Sequence, residues 1–123
     1  MLVPFAYSLA VILNLLILLI GARFLAVPRA AAVGYGVPAK QDGDAAYLTI
    51  KGLRDGSYGL LGLALLAFAG AHAEAWFMLV VALVPLGDTV IVLRNGGTKA
   101  TAFGIHFATA VIVLLSAALL FAL

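Results

Sequence analysis

Four membrane-spanning helices packed into an all-α antiparallel bundle are expected from this sequence. Three grounds support that: an apolar excess, four apolar stretches of bilayer length, and turn signals between them. Of the 123 residues, 66% are hydrophobic and only 10% are charged, with mean hydropathy +1.24. Soluble domains carry about 25% charged and about 45–50% apolar residues. A water-exposed fold would leave much of this surface uncovered, whereas lipid covers it, so the bilayer is the first expected partner. There is no cysteine, which excludes disulfides, thiolate metal sites and thiol nucleophiles. A net charge of +2, with no basic cluster interleaved with aromatics, argues against nucleic acid.

A hydrocarbon core of about 30 Å takes about 20 apolar residues in helix. Helices are expected over 3–27, 46–70, 74–94 and 99–123, forming one domain over 1–123. The first stretch has no basic residues before it and extends beyond a signal-peptide core, so it reads as a retained helix. The connection from Pro28 to Ala45 contains Pro28, Gly34, Gly36, Pro38 and Gly43 and reads as a long loop. The other two connections, Ala71-His72-Ala73 and Asn95-Gly96-Gly97-Thr98, are short and force antiparallel neighbours.

The seven basic residues are Arg23, Arg29, Lys40, Lys51, Arg54, Arg94 and Lys99. All fall at or near the side of the first and third connections. Cytoplasmic loops carry the excess of Lys and Arg. The expectation is therefore a multi-pass protein of the cell membrane, with those two loops in the cytoplasm and both termini outside. Trp76 suits the outer interface.

Charged groups inside a span cost roughly 2.5–3.5 kcal/mol each on insertion scales, so each needs a reason. With about 1.5 Å of rise per residue, Arg54, Asp55, Asp88 and His106 all lie about two turns in from the cytoplasmic side. Arg23 lies about one turn in. Asp55 shares a helix face with Gly52, Gly59 and Gly62, and such glycines let a second helix approach closely. Lys51 and Tyr58 flank Arg54 one step round. Asp88 follows Pro85, whose missing N–H frees a backbone carbonyl. Asn14 stands mid-helix.

The candidate catalytic set is Asp88, His106, Asp55 and Arg54. Asp88 or Asp55 would act as base, His106 as acid or shuttle, and Arg54 as oxyanion stabiliser. Arg23, Lys51, Tyr58 and Asn14 are the candidate ligand contacts. Each has a plainer reading. Arg23, Arg94 and Lys99 suit snorkelling anchors. Asn14 suits an interhelical hydrogen bond. Arg54, Asp55 and Asp88 suit a structural ion-pair network. His72 and Glu74 read as solvated loop residues. No phosphate loop, His-Glu-x-x-His or Gly-x-Ser-x-Gly motif occurs, and Gly34-Tyr35-Gly36 lacks the context of a nucleotide fingerprint. No cofactor and no metal site are expected.

The strings Gly21-Ala-Arg-Phe-Leu-Ala-Val-Pro28, Tyr47-Leu-Thr-Ile-Lys-Gly-Leu-Arg-Asp-Gly56 and Pro85-Leu-Gly-Asp-Thr-Val-Ile-Val-Leu-Arg94, together with His106, resemble a family of small four-helix membrane proteins known as a domain of unknown function. They are also distantly similar to the DoxX-type four-helix proteins. The resemblance implies a four-helix bundle, with Arg23, Lys51, Arg54, Asp55, Asp88 and His106 at its motif positions. It implies no activity. Small multidrug transporters carry an acidic residue in their first helix, which this chain lacks. Dual-topology fluoride channels lack the charge asymmetry it has.

Three functions are compatible with these features. One is a protein that binds or converts a lipophilic small molecule by cofactor-free proton transfer, as an intramembrane isomerase or cyclase would. A proton-coupled transporter or channel is the second. The third is an accessory subunit. A second copy of the chain is an admissible partner for each.

Overall fold

The computed structural model describes residues 1–123, and the chain is all-α, without strands. Five helices follow one another. Helix α1 is Leu2–Ala26, and α2 is Pro28–Tyr35. Helix α3 is Ala46–Ala64, carried on by a π turn at Leu65–Ala69. Helix α4 is Ala71–Arg94, and α5 is Lys99–Phe121.

Three of these, α1, α4 and α5, are long and apolar enough to cross a membrane. Helix α3 does not meet that measure, although a span was expected there. Its first half carries Lys51, Arg54, Asp55 and Ser57, and those polar side chains offset the leucines that follow.

Helices α1 and α3 pack along their whole length, α4 packs on α5, and α1 also touches α5. The α1–α3 contact is made by glycines. The buried face of α3 is Gly52, Asp55, Gly59 and Gly62. A Cβ on Gly59 would lie 2.6 Å from the backbone oxygen of Asn14, and one on Gly21 would lie 2.6 Å from that of Gly52. The two backbones therefore approach as only glycine permits. The main apolar core, which includes Ala10, Leu66, Ala75, Met78, Val113 and Leu120, sits toward the end formed by the second connection.

The first connection is not a loop throughout. Pro28 stands in the first turn of α2, where its missing N–H is no loss. Gly36 caps the helix with φ +98°, a left-handed conformation suited to glycine. Gly36 packs against Thr101 and Val92, and a Cβ on Gly97 would lie 2.8 Å from the Gly36 oxygen. The first and third connections therefore meet at one end of the molecule.

One further departure comes from a helix boundary. Helix α4 begins at Ala71, so Glu74, expected to be solvated, lies in its first turn and is fully buried. In α5, residues Ala102–Phe107 form a π turn that carries His106 inward, to 3% exposure. Such turns occur mostly as single insertions in α-helices, often at functional sites.

Candidate functional site

Between the helices lies a cavity of about 260 Å³. Its walls are mainly apolar, with Ile17, Ile20, Phe77, Val81, Val84 and Val113 among them. At one end it meets Asp55, Asp88, His106, Tyr35 and Arg23, and Asn14 also lines it. Tyr58 borders it from α3.

Tyr35, the last residue of α2, ties the polar end together. Its hydroxyl donates to Asp88 Oδ2 on α4. Its backbone carbonyl accepts from His106 Nε2 on α5 at 2.7 Å. A carbonyl can only accept, so Nε2 carries the hydrogen and Nδ1 is left as the basic nitrogen of the ring. The Tyr35 ring lies edge-on to Phe24 of α1, with centroids 5.6 Å apart. Lys51 Nζ of α3 stands 4.2 Å from the Tyr35 centroid and 4.7 Å from that of Phe24. Burial, with the Asp88 carboxylate beside it, pushes the Tyr35 phenol above its ordinary range, so Tyr35 is the donor in that bond.

Lys51 also pairs with Asp55, Nζ to Oδ2 at 2.5 Å. The two are four residues apart and share a helix face. This is the only ion pair in the chain. Arg54 was expected to hold that place and does not. It is exposed, lines no part of the cavity and pairs with no carboxylate. One residue before Asp55 means about 100° round the helix, which turns Arg54 away.

Asp88 owes its position to Pro85, one turn earlier. Proline offers no N–H to the carbonyl of Val81 and interrupts the regular helix near Ala82. Val81, Val84, Pro85 and Asp88 all border the cavity. Thr89 Oγ1 bonds back to the Pro85 oxygen at 2.8 Å and steadies the turn.

Of the residues expected to form a site, Asp55, Asp88, His106, Arg23, Tyr58 and Asn14 border one cavity. Lys51 reaches it through Asp55 and the Tyr35 ring. Asn14 donates to Glu74 Oε1 at 2.6 Å and to the Ala10 carbonyl at 3.0 Å. Sequence reasoning missed Tyr35 and Glu74. Asp, Glu and His side chains form no group of three or more able to hold a metal ion.

A family model described as Domain of unknown function (DUF4267) matches residues 14–120. The chain belongs to that family. The match takes in every residue of the site from Asn14 to His106, and the connecting helix with Tyr35 as well. No curated protein and no solved structure matches the chain. In this DUF4267 protein, the arrangement offers hydrogen-bond acceptors at Asp88 and His106 Nδ1 and a donor at Lys51, with the Tyr35 hydroxyl already given to Asp88. All of them stand at the polar end of an apolar chamber.

Proposed function

We propose that this DUF4267 chain is a four-span membrane protein that holds a small lipophilic molecule in the interhelical cavity and moves a proton on it. One observation carries the reading: Tyr35 gathers Asp88, His106 and the Lys51–Asp55 pair at one end of a cavity whose other walls are apolar. Small-molecule sites are of this kind, mostly apolar with a few convergent polar groups, though commonly about 300–1,000 Å³. A chamber of about 260 Å³ sets a small occupant, with an apolar body and one polar head. The head meets Asp88, which accepts its proton; His106 Nδ1, the free acceptor, takes that proton from Asp88 and returns it to the molecule. Lys51, whose ammonium stands over the Tyr35 ring, stabilises the negative charge that results, while Tyr35 holds Asp88 in place. Helix α3 serves as the fourth span, with Asp55 buried and Lys51 held over Phe24 of α1 and Tyr35 of α2, while Arg54 stays on the outer surface near the charged end.

The test is to purify the protein from membranes in mild detergent, extract it with organic solvent and identify co-purifying molecules by mass spectrometry. A discrete lipophile is expected in the parent and absent from Asp88→Asn and from Gly34→Phe. Gly34 borders the cavity and a Cβ there meets nothing within 4 Å, so Phe intrudes without a backbone clash. Equal recovery from all three proteins ends the proposal.

Orientation follows from the shared end of the first and third connections. That end carries Arg29, Lys40, Arg94 and Lys99, so it faces the cytoplasm. Cysteines at Gln41 and Ala73 are expected to label from opposite sides of sealed vesicles. Labelling from one side would remove the four-span topology.

A further inference from the structure

Glu74 is a buried carboxylate that neither lines the cavity nor takes part in an ion pair. Its side chain is fully buried, next to the core residues Ala75 and Met78. Oε1 accepts from Asn14 Nδ2 at 2.6 Å, and Oε2 has no partner. On α5, the Ser116 hydroxyl is also buried without a partner. Ala75 and Ala117, the chain neighbours of Glu74 and Ser116, belong to one apolar core cluster.

No cation stands by to balance a charge on Glu74. On its own helix, His72 is exposed and lies beside Phe121. In the core around Glu74, α1 supplies only Tyr7, α3 bears no ionisable group after Tyr58, and α5 none after His106. A lone carboxylate anion in such surroundings is far more costly than a neutral acid with one hydrogen bond already made.

We propose that Glu74 is a proton-binding site at the apolar end of the bundle, holding its proton on Oε2 and coupled to the cavity through Asn14. The neutral acid keeps Oε1 as the carbonyl that accepts from Asn14 and turns Oε2 into a donor. Binding adds one proton to the carboxylate, and release breaks only the Oε2–H bond, with the electron pair left on the carboxylate. Asn14 gives one N–H to Ala10 and the other to Glu74, and it also borders the cavity. An occupant that accepts a hydrogen bond from this amide must take it from Ala10 or from Glu74, and in the second case Glu74 loses its one donor. Proton affinity and cavity occupancy are linked in that way.

Infrared spectroscopy of the full chain in detergent at neutral pH tests this. A protonated carboxyl C=O band, shifted by deuterium oxide, is expected in the parent and in Asp88→Asn. It disappears in Glu74→Gln, whose side chain has the same shape. In Asn14→Ala the band moves to higher frequency, because the carbonyl loses its donor. Absence of the band from the parent, or its survival in Glu74→Gln, overturns the proposal. An ionised Glu74 together with stabilisation by added sodium would assign the site to a metal cation and overturn it too. Loss of co-purified ligand in Asp88→Asn does not bear on this band, so the two readings fail separately.

Discussion

Gly59→Ala is expected to lower the unfolding free energy in detergent by about 1–3 kcal/mol, the usual cost of forcing extra atoms into a packed contact. The new Cβ would lie 2.6 Å from the Asn14 backbone oxygen and 3.0 Å from Leu18 Cβ. Neither is the free end of a flexible side chain, so α1 and α3 must part. Gly56→Ala is the control, three residues earlier on the same helix. Its Cβ would meet only Leu18 Cδ1 at 3.9 Å. With no clash, helix propensity decides the sign, and alanine is favoured over glycine by about 0.8–1.0 kcal/mol in a helix interior. The two substitutions are the same chemical change with opposite expected outcomes. Equal melting of the two variants would mean that the glycine face does not set the α1–α3 approach. Gly62→Ala belongs with Gly59→Ala, because its Cβ would run into the Asn14 side-chain amide and disturb the bond to Glu74 as well.

The residues of the cavity were legible in the sequence to the extent that depth along a helix determines neighbourhood. Asp55, Asp88 and His106 lie at equal distance from one end, and the fold brings them to the same chamber. Depth says nothing of azimuth, and there the expectation for Arg54 failed. The four-residue step from Lys51 to Asp55 was the available signal, since that step returns to the same face and the single step from Arg54 does not. Tyr35 was hidden in a segment whose glycines and prolines read as loop. The same residues are helix punctuation: Pro28 opens α2 and Gly36 closes it. Glu74 was lost to a boundary displaced by three residues. A start at Ala71 rather than 74 moves a carboxylate from solvent into the core. A buried acid therefore stands away from the Asp88 end of the cavity.

Exchanging Lys51 for methionine is the second large effect. Lys51 holds the one counter-charge of Asp55, whose side chain is 6% exposed against 28% for the lysine. Removing one member of a buried pair leaves an uncompensated charge and typically costs about 3–5 kcal/mol. The partial exposure of Lys51 places this case at the lower end, about 3 kcal/mol. The loss is expected in Lys51→Met and recovered in large part in the double variant Lys51→Met with Asp55→Leu, where no charge is left unpaired. Arg54→Met, three residues on, is expected to change stability by no more than about 0.5 kcal/mol, as surface substitutions do. Unfolding of these three proteins and of Asp55→Leu alone in detergent gives the comparison, and non-additivity in the double variant measures the pair itself. Stability alone leaves open whether the pair serves only the fold. The double variant resolves that when it is carried into ligand extraction. A stable protein that no longer retains the lipophile assigns Lys51 and Asp55 to binding, because the packing they supported has been restored without them. A stable protein that retains it assigns them to the architecture around Tyr35 and leaves Asp88 and His106 as the groups that face the occupant. If Arg54→Met were the damaging change and Lys51→Met the silent one, the arrangement of charges around Tyr35 would be wrong.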